Sequence, residues 1–137
     1  MKFITKIFAI AYIIIASVLI ISCEGDNKTE YKSFLIQVDS IAVPNSIAVN
    51  DSFDINFYGT VGTDGCYKFS HFKTDRSNNE ILIKCWGKVN TSAENCPTVM
   101  VFLDGEELSY TIDEPGNFLL KIKQPDNSFL EKQITVE

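Results

Sequence analysis

The sequence has one histidine, one tryptophan, four cysteines and four prolines in 137 residues, and beyond residue 22 no stretch carries an apolar stripe at helical spacing. Each shortage removes a class of function. A Gly-rich phosphate loop, a Gly-x-Ser-x-Gly nucleophile turn and a His-Glu-x-x-His metal helix are all missing, and with them the common local signatures of nucleotide binding, acyl transfer and metalloproteolysis. No Asp-rich loop of calcium-binding spacing occurs. Positive charge is also scarce, with twelve Lys and Arg against eighteen Asp and Glu, and the basic residues stand singly or in pairs along the chain. Such a polyanion is repelled by nucleic-acid phosphates and anionic headgroups, so neither is an expected direct partner. The acidic excess serves either as a soluble, non-aggregating surface or as an attraction for a cationic partner.

What the chain does have begins at its N-terminus. Met1-Lys2-Phe3-Ile4-Thr5-Lys6 carries two positive charges and no acid, and Ile7 to Ile21 is apolar except for Ser17. A charged n-region followed by a fifteen-residue apolar h-region predicts a signal peptide over residues 1–22. A spanning helix usually needs about 20 apolar residues, so an uncleaved anchor helix is the lesser reading. Leu19-Ile20-Ile21-Ser22-Cys23 resembles the lipobox of bacterial lipoproteins, with Ser22 as the small residue before the cut and Ile20 and Ile21 as variants of the preferred residues. The resemblance implies cleavage between Ser22 and Cys23, thioether lipidation of Cys23 and acylation of its new N-terminus. Several acyl chains hold a protein stably where one does so only marginally. Glu24 in place of the inner-membrane sorting aspartate implies an outer-membrane destination, periplasmic or surface-facing. Glu24-Gly25-Asp26 is similar to the acidic stretch of surface-exposed Bacteroidetes lipoproteins. Losing Lys2 and Lys6 leaves ten basic and eighteen acidic residues, a net charge of −8. Residues 23–32 are polar, lack apolar periodicity and read as a tether.

From Ser33 onward the period is two, which predicts strands. Phe34, Ile36 and Val38 fall on one face of such a run, as do Phe53, Ile55 and Phe57, whose neighbours are all polar; Tyr67 and Phe69; Ile81, Ile83 and Cys85, with Leu82, Lys84 and Trp86 on the other face; Val99, Val101 and Leu103; Leu108, Tyr110 and Ile112; and Phe118, Leu120 and Ile122. The last run, Phe129 to Val136, puts Lys132 in register with its apolar residues and needs a bulge or an edge position. Turn signals separate the runs, and Asp104-Gly105 between two of them predicts a hairpin. The expected fold is an all-β antiparallel sandwich of seven to nine strands over residues 33–137. Ile41 to Phe53, with its break at Pro44, resembles the opening of bacterial immunoglobulin-like domains, where the first strand switches sheets at a proline. Pro115-Gly116-Asn117-Phe118 is similar to their Pro-Gly-x-Tyr approach to the penultimate strand, with Phe118 in place of the tyrosine. This implies an immunoglobulin-like fold, of the kind carried by Bacteroidetes lipoproteins, and no activity.

Export to an oxidising compartment makes Cys66, Cys85 and Cys96 candidate disulfide partners. Cys66 and Cys96 stand at loop edges, whereas Cys85 is mid-strand beside Ile81 and Ile83, so Cys66–Cys96 is the preferred pair and Cys85–Cys96 the competitor. A zinc set of Cys66, His71, Cys85 and Cys96 is conceivable, but it lacks close cysteine spacing. A Cys85 nucleophile with His71 as base is disfavoured by the apolar strand face. His71, in register with Tyr67 and Phe69, reads as a half-buried packing residue. The acidic pairs Glu106-Glu107 and Asp113-Glu114 read as chance neighbours in an acidic chain. Asp39-Ser40-Ile41 resembles a Bacteroidetes O-glycosylation acceptor. With Ile81, Ile83 and Cys85 inward, Leu82 and Trp86 point outward as a candidate recognition patch; a reversed register or a covering loop would put Trp86 in the interior instead. These features together predict a lipid-anchored binding or envelope-accessory module for protein or glycan, with no catalytic residues, metal or cofactor. The alternative is an inhibitor of a cationic envelope-active hydrolase such as a lysozyme.

Overall fold

The computed structural model describes residues 29–137, so Ser22, Cys23 and the expected signal peptide lie outside the described residues. The described chain forms nine strands and no helix: β1 (Tyr31–Leu35), β2 (Gln37–Ala42), β3 (Ser46–Ile47), β4 (Ser52–Gly62), β5 (Tyr67–Ser77), β6 (Glu80–Asn90), β7 (Val101–Thr111), β8 (Gly116–Lys123) and β9 (Phe129–Val136). They make a β-sandwich. One sheet has six strands, with β6 carrying β5 on one edge and both β1 and β8 on the other, followed by β9 and β3; the second sheet is β2-β4-β7. β1 pairs with the C-terminal half of β6 and β8 with its N-terminal half, and the Ile36 N–H donates to the Cys85 carbonyl at 2.9 Å between them.

Period-two alternation explains the core. Phe53, Ile55, Phe57 and Val61 of β4 face Ile81, Ile83 and Cys85 of β6 and Phe118, Leu120 and Ile122 of β8, all buried in one cluster. The chain changes sheets twice near its start. It leaves the six-stranded sheet at the fully buried Ile36, runs as β2 against β4, breaks at Val43-Pro44 and returns as β3 beside β9. The second switch is the one that the immunoglobulin-like opening implies. Buried Gln124 ties the two sheets together, its Oε1 accepting from the Val38 N–H at 3.1 Å and its Nε2 donating to the Val38 carbonyl at 3.2 Å. This amide completes the open edge of β2, whose backbone groups would be costly to bury unpaired.

Four expectations change. The first strand starts at Tyr31, two residues before Ser33, with Tyr31 paired to Asn90 and Lys32 to Val89. The sandwich is not wholly antiparallel, since β3–β9 and β6–β8 run parallel. Val99 precedes the strand that starts at Val101. Asp104-Gly105 makes no hairpin either. β7 runs unbroken through it, and the register against β4 slips there, with Phe57 opposite Glu106 and Tyr58 opposite Asp104. Gly105 has φ +82°, a left-handed conformation that glycine adopts without a Cβ penalty, so the same dipeptide chemistry that suits a turn here builds a bulge. The Lys132 problem is solved by position. Lys132 stands opposite Leu120 in an unbroken register, on a stretch of β9 whose outer edge is unpaired, since β3 reaches only Thr135 and Val136.

Candidate functional site

The outer face of the six-stranded sheet is built on β6. Ile81, Ile83 and Cys85 point into the core, while Leu82, Lys84, Trp86 and Lys88 point out and are half-buried. Directly opposed residues share a face, so Trp86 lies between Leu35 of β1 and His71 of β5, and Leu82 between Asp75 of β5 and Lys121 of β8. The outward register anticipated for Leu82 and Trp86 is present, but Lys84 separates them by about 13 Å of strand, so they form no contiguous apolar patch. β1 is held beside Trp86 by Phe34, whose ring covers Gly87: a Cβ there would come within 2.5 Å of it. The same ring meets Tyr67 edge-on at 5.6 Å.

His71 is not on the face of Tyr67 and Phe69. A register shift between Phe69 and His71 flips the strand, so that Phe72 opposes Cys85 on the inside and His71, exposed, opposes Trp86 on the outside. A lone polar serine gives no sign of the bulge at Ser70, and period-two counting carried through it assigns the wrong face. The bulge also dissolves the Cys85–His71 pair, since the two side chains leave opposite faces of the sheet.

The basic residues, scattered in sequence, are gathered in space. All nine Lys and Arg of the described segment lie on strands of the six-stranded sheet. The strands of the three-stranded sheet carry Asp39, Asp54, Asp104, Glu106 and Glu107 and no basic residue. On the outer face, Lys68 stands opposite Lys88 and Lys73 opposite Lys84, with the His71–Trp86 pair between them. Like charges directly opposed destabilise a sheet. Lys84 reaches Asp75 at 3.7 Å, Lys121 reaches Glu80 at 3.5 Å and Glu131 at 3.9 Å, and the Lys88 ammonium sits 5.1 Å from the centre of the Tyr31 ring. Lys68 and Lys73 have no carboxylate at ion-pair distance among the described residues.

The other candidates resolve as structure. Cys66 and Cys96 form a disulfide, which consumes both sulfurs of the group that Asp64, Cys66 and Cys96 would offer a metal. Asp64 instead accepts from the Cys66 N–H at 3.0 Å. Asp113 and Glu114 clamp Arg76 at 2.7 and 3.2 Å, and the guanidinium holds the Asp113 carboxyl below the usual carboxylate range. Arg76 also lies over the Phe118 ring, 5.2 Å from its centre. Cys85 is a free, fully buried thiol whose burial pushes its pKa up from 9.0 to about 12. In the folded Cys23→Ala chain it is therefore expected to stay unreacted with a thiol reagent near pH 8 and to titrate as one thiol on unfolding. Between about pH 9 and 12 the unfolded state holds fewer protons than the folded one, so stability falls as pH rises through that window. Rapid labelling of the folded protein would show that the core does not shield this sulfur.

The outer face of the three-stranded sheet was not anticipated as a surface feature. Exposed Tyr58 and Phe102 flank a shallow concavity of about 420 Å³ with Asp39 and Asp104 on its rim. Phe102 is legible as the residue between inward Val101 and Leu103, but its closeness to Tyr58 depends on the strand pairing. Ser40 lies exposed on the edge strand β2. Comparison with protein-family models, curated proteins and solved structures returned no match, so the site rests on its own geometry.

Proposed function

We propose that this protein is a lipid-anchored binding module of the cell envelope, held at the outer membrane through Cys23 and presenting the Trp86 face of its six-stranded sheet to a glycan or protein. The observation that carries the reading is Trp86 itself. The only tryptophan in the chain points out of the sandwich, with Leu35 and His71 at its sides and Lys84 and Lys88 before and after it on the strand. A large rigid ring with a polar edge gives contact area at low entropic cost and an N–H to direct it.

The anchor and the face have separate tests. Growth with a labelled fatty acid is expected to label the wild-type chain and not Cys23→Ala, and an unlabelled wild type would remove the anchor. Trp86→Ala is expected to fold normally and to lose at least about tenfold in affinity for the ligand, a difference of about 1.4 kcal/mol. Unchanged affinity would remove the face.

A second reading, inhibition of a cationic envelope hydrolase such as a lysozyme, is favoured by the opposite sheet, where exposed Tyr58 and Phe102 sit among carboxylates with no basic residue on the same strands. Inhibition through that face would weaken steeply with salt and would be insensitive to Trp86→Ala.

A further inference from the structure

We infer that the Trp86 face binds an acidic glycan, a polysaccharide carrying carboxylate, sulfate or phosphate groups along an extended chain. This rests on the Trp86 face being the binding surface and adds the chemistry of its ligand.

The ground is the double lysine pairing. Placing Lys68 opposite Lys88 and Lys73 opposite Lys84 costs sheet stability, and a neutral or acidic residue at any of the four would relieve it. Lys68 and Lys73 are both exposed and without a carboxylate partner among the described residues. The two pairs lie about 13 Å apart along β6, and neighbouring strands are about 4.8 Å apart. A chain laid along β5 and β6 therefore meets Lys68 and Lys88, then the Trp86–His71 step, then the unpaired Lys73 beside Lys84, which Asp75 partly neutralises at 3.7 Å. Sugar rings suit the middle of that track, because their C–H faces pack on an indole while their edges remain free for charge. Lys123, over the Phe129 ring at 4.6 Å from its centre, extends the positive field to β8, where the neighbouring Lys121 is paired with Glu80 and Glu131.

The shape argues for a polymer. The lysines line a flat sheet face and do not converge on one point as a site for a single phosphate would. It also argues against a bilayer, since Trp86 is half-buried, the exposed rings of this face (Tyr31 and Phe129) are covered by lysine ammonium groups, and the most exposed apolar residues, Val99, Met100 and Phe102, belong to β7 and the loop before it. The overall negative charge is no obstacle to a ligand confined to this face. Asp39, Asp54 and Asp104 are exposed on the three-stranded sheet, which packs about 10 Å from this one, and on this face lysines outnumber carboxylates.

The test uses the full chain in detergent, with the single tryptophan as reporter. Dextran sulfate and polygalacturonate are expected to shift Trp86 fluorescence with saturation, and neutral dextran is expected not to. Raising salt from about 50 to about 500 mM is expected to weaken binding by about tenfold or more. Lys68→Glu/Lys73→Glu is expected to lose about tenfold or more, while Lys132→Glu, on the other face of its sheet, stays within about twofold. The inference is overturned if neutral dextran binds as tightly as the acidic polymers with Trp86 required, a result that keeps the binding face and removes its charge preference. Equal losses in the double variant and in Lys132→Glu would reduce the effect to net charge and overturn it as well. Tighter binding to vesicles of anionic phospholipid than to either acidic polymer would assign the face to membrane. A fluorescence response to no glycan, acidic or neutral, would remove both the acidic-glycan inference and the glycan form of the binding-face reading.

Discussion

Replacing Cys66 and Cys96 together by serine is expected to lower the free energy of unfolding by roughly 3–4 kcal/mol, from the loop entropy that the cross-link removes from the unfolded chain. The bond spans 30 residues of sequence and holds Cα atoms 5.3 Å apart. It also does local work. Residues 91–100 cross from β6 in one sheet to β7 in the other without regular structure. They are fastened where the Gly65 N–H donates to the Pro97 carbonyl at 2.8 Å, next to the disulfide. A Cβ on Gly65 would approach the Pro97 ring at 3.1 Å, so loop and turn are in close contact. For a domain of this size the expected loss corresponds to a fall of about 15–25 °C in Tm. It should come with faster proteolysis near the exposed Val99 and Met100. Denaturation of wild type and double variant, with cleavage sites mapped, checks both parts. A change under about 0.5 kcal/mol would mean that the loop is held without the bond.

The second large effect is expected at Phe57. Its ring is fully buried and lies 4.6 Å from that of Phe72. Phe57 belongs to the three-stranded sheet and Phe72 to the six-stranded sheet, so the pair joins the two layers, and Phe69 continues the cluster 4.8 Å from Phe72. Phe57→Ala removes the transfer free energy of a whole ring and leaves a cavity between two sheets that cannot close without losing their hydrogen bonds. The expected cost is about 3–5 kcal/mol, against a total of about 5–15 for a domain of ordinary stability. Phe102→Ala is the matched control. Phe102 is 57% exposed on the outer face of the same sheet, and its replacement is expected to stay within about 0.5 kcal/mol. Urea denaturation of both variants tests the contrast. Equal losses would mean that the assignment of inner and outer faces on β4 and β7 is wrong.

The same contrast shows how much could be read from the chain. Where a strand is regular, period-two counting places each residue on its correct face, as it does for Phe53, Ile55 and Phe57 and for the outward Leu82 and Trp86. It fails where one extra residue enters the ladder. The bulge at Ser70 sends His71 outward, and the bulge at Gly105 keeps β7 whole where a hairpin was expected. A bulge follows from strand pairing, and pairing partners are distant in sequence.

Residues 29–137 thus split into two kinds of information. Alternation, turn residues and the contrast between mid-strand Cys85 and loop-edge Cys66 and Cys96 are local, and by themselves they determined an all-β sandwich and most of its turns and favoured Cys66–Cys96 over Cys85–Cys96, while the side on which Trp86 lies stayed open. The Trp86 face itself was decided only by tertiary structure. Lysines that stand apart on β5, β6 and β8 become neighbours because those strands share one sheet, and the carboxylates of β2, β4 and β7 are kept together on the other. Charge acts through space over several ångströms, while composition records only its sum, so a chain that is acidic in total still presents a basic, tryptophan-centred face.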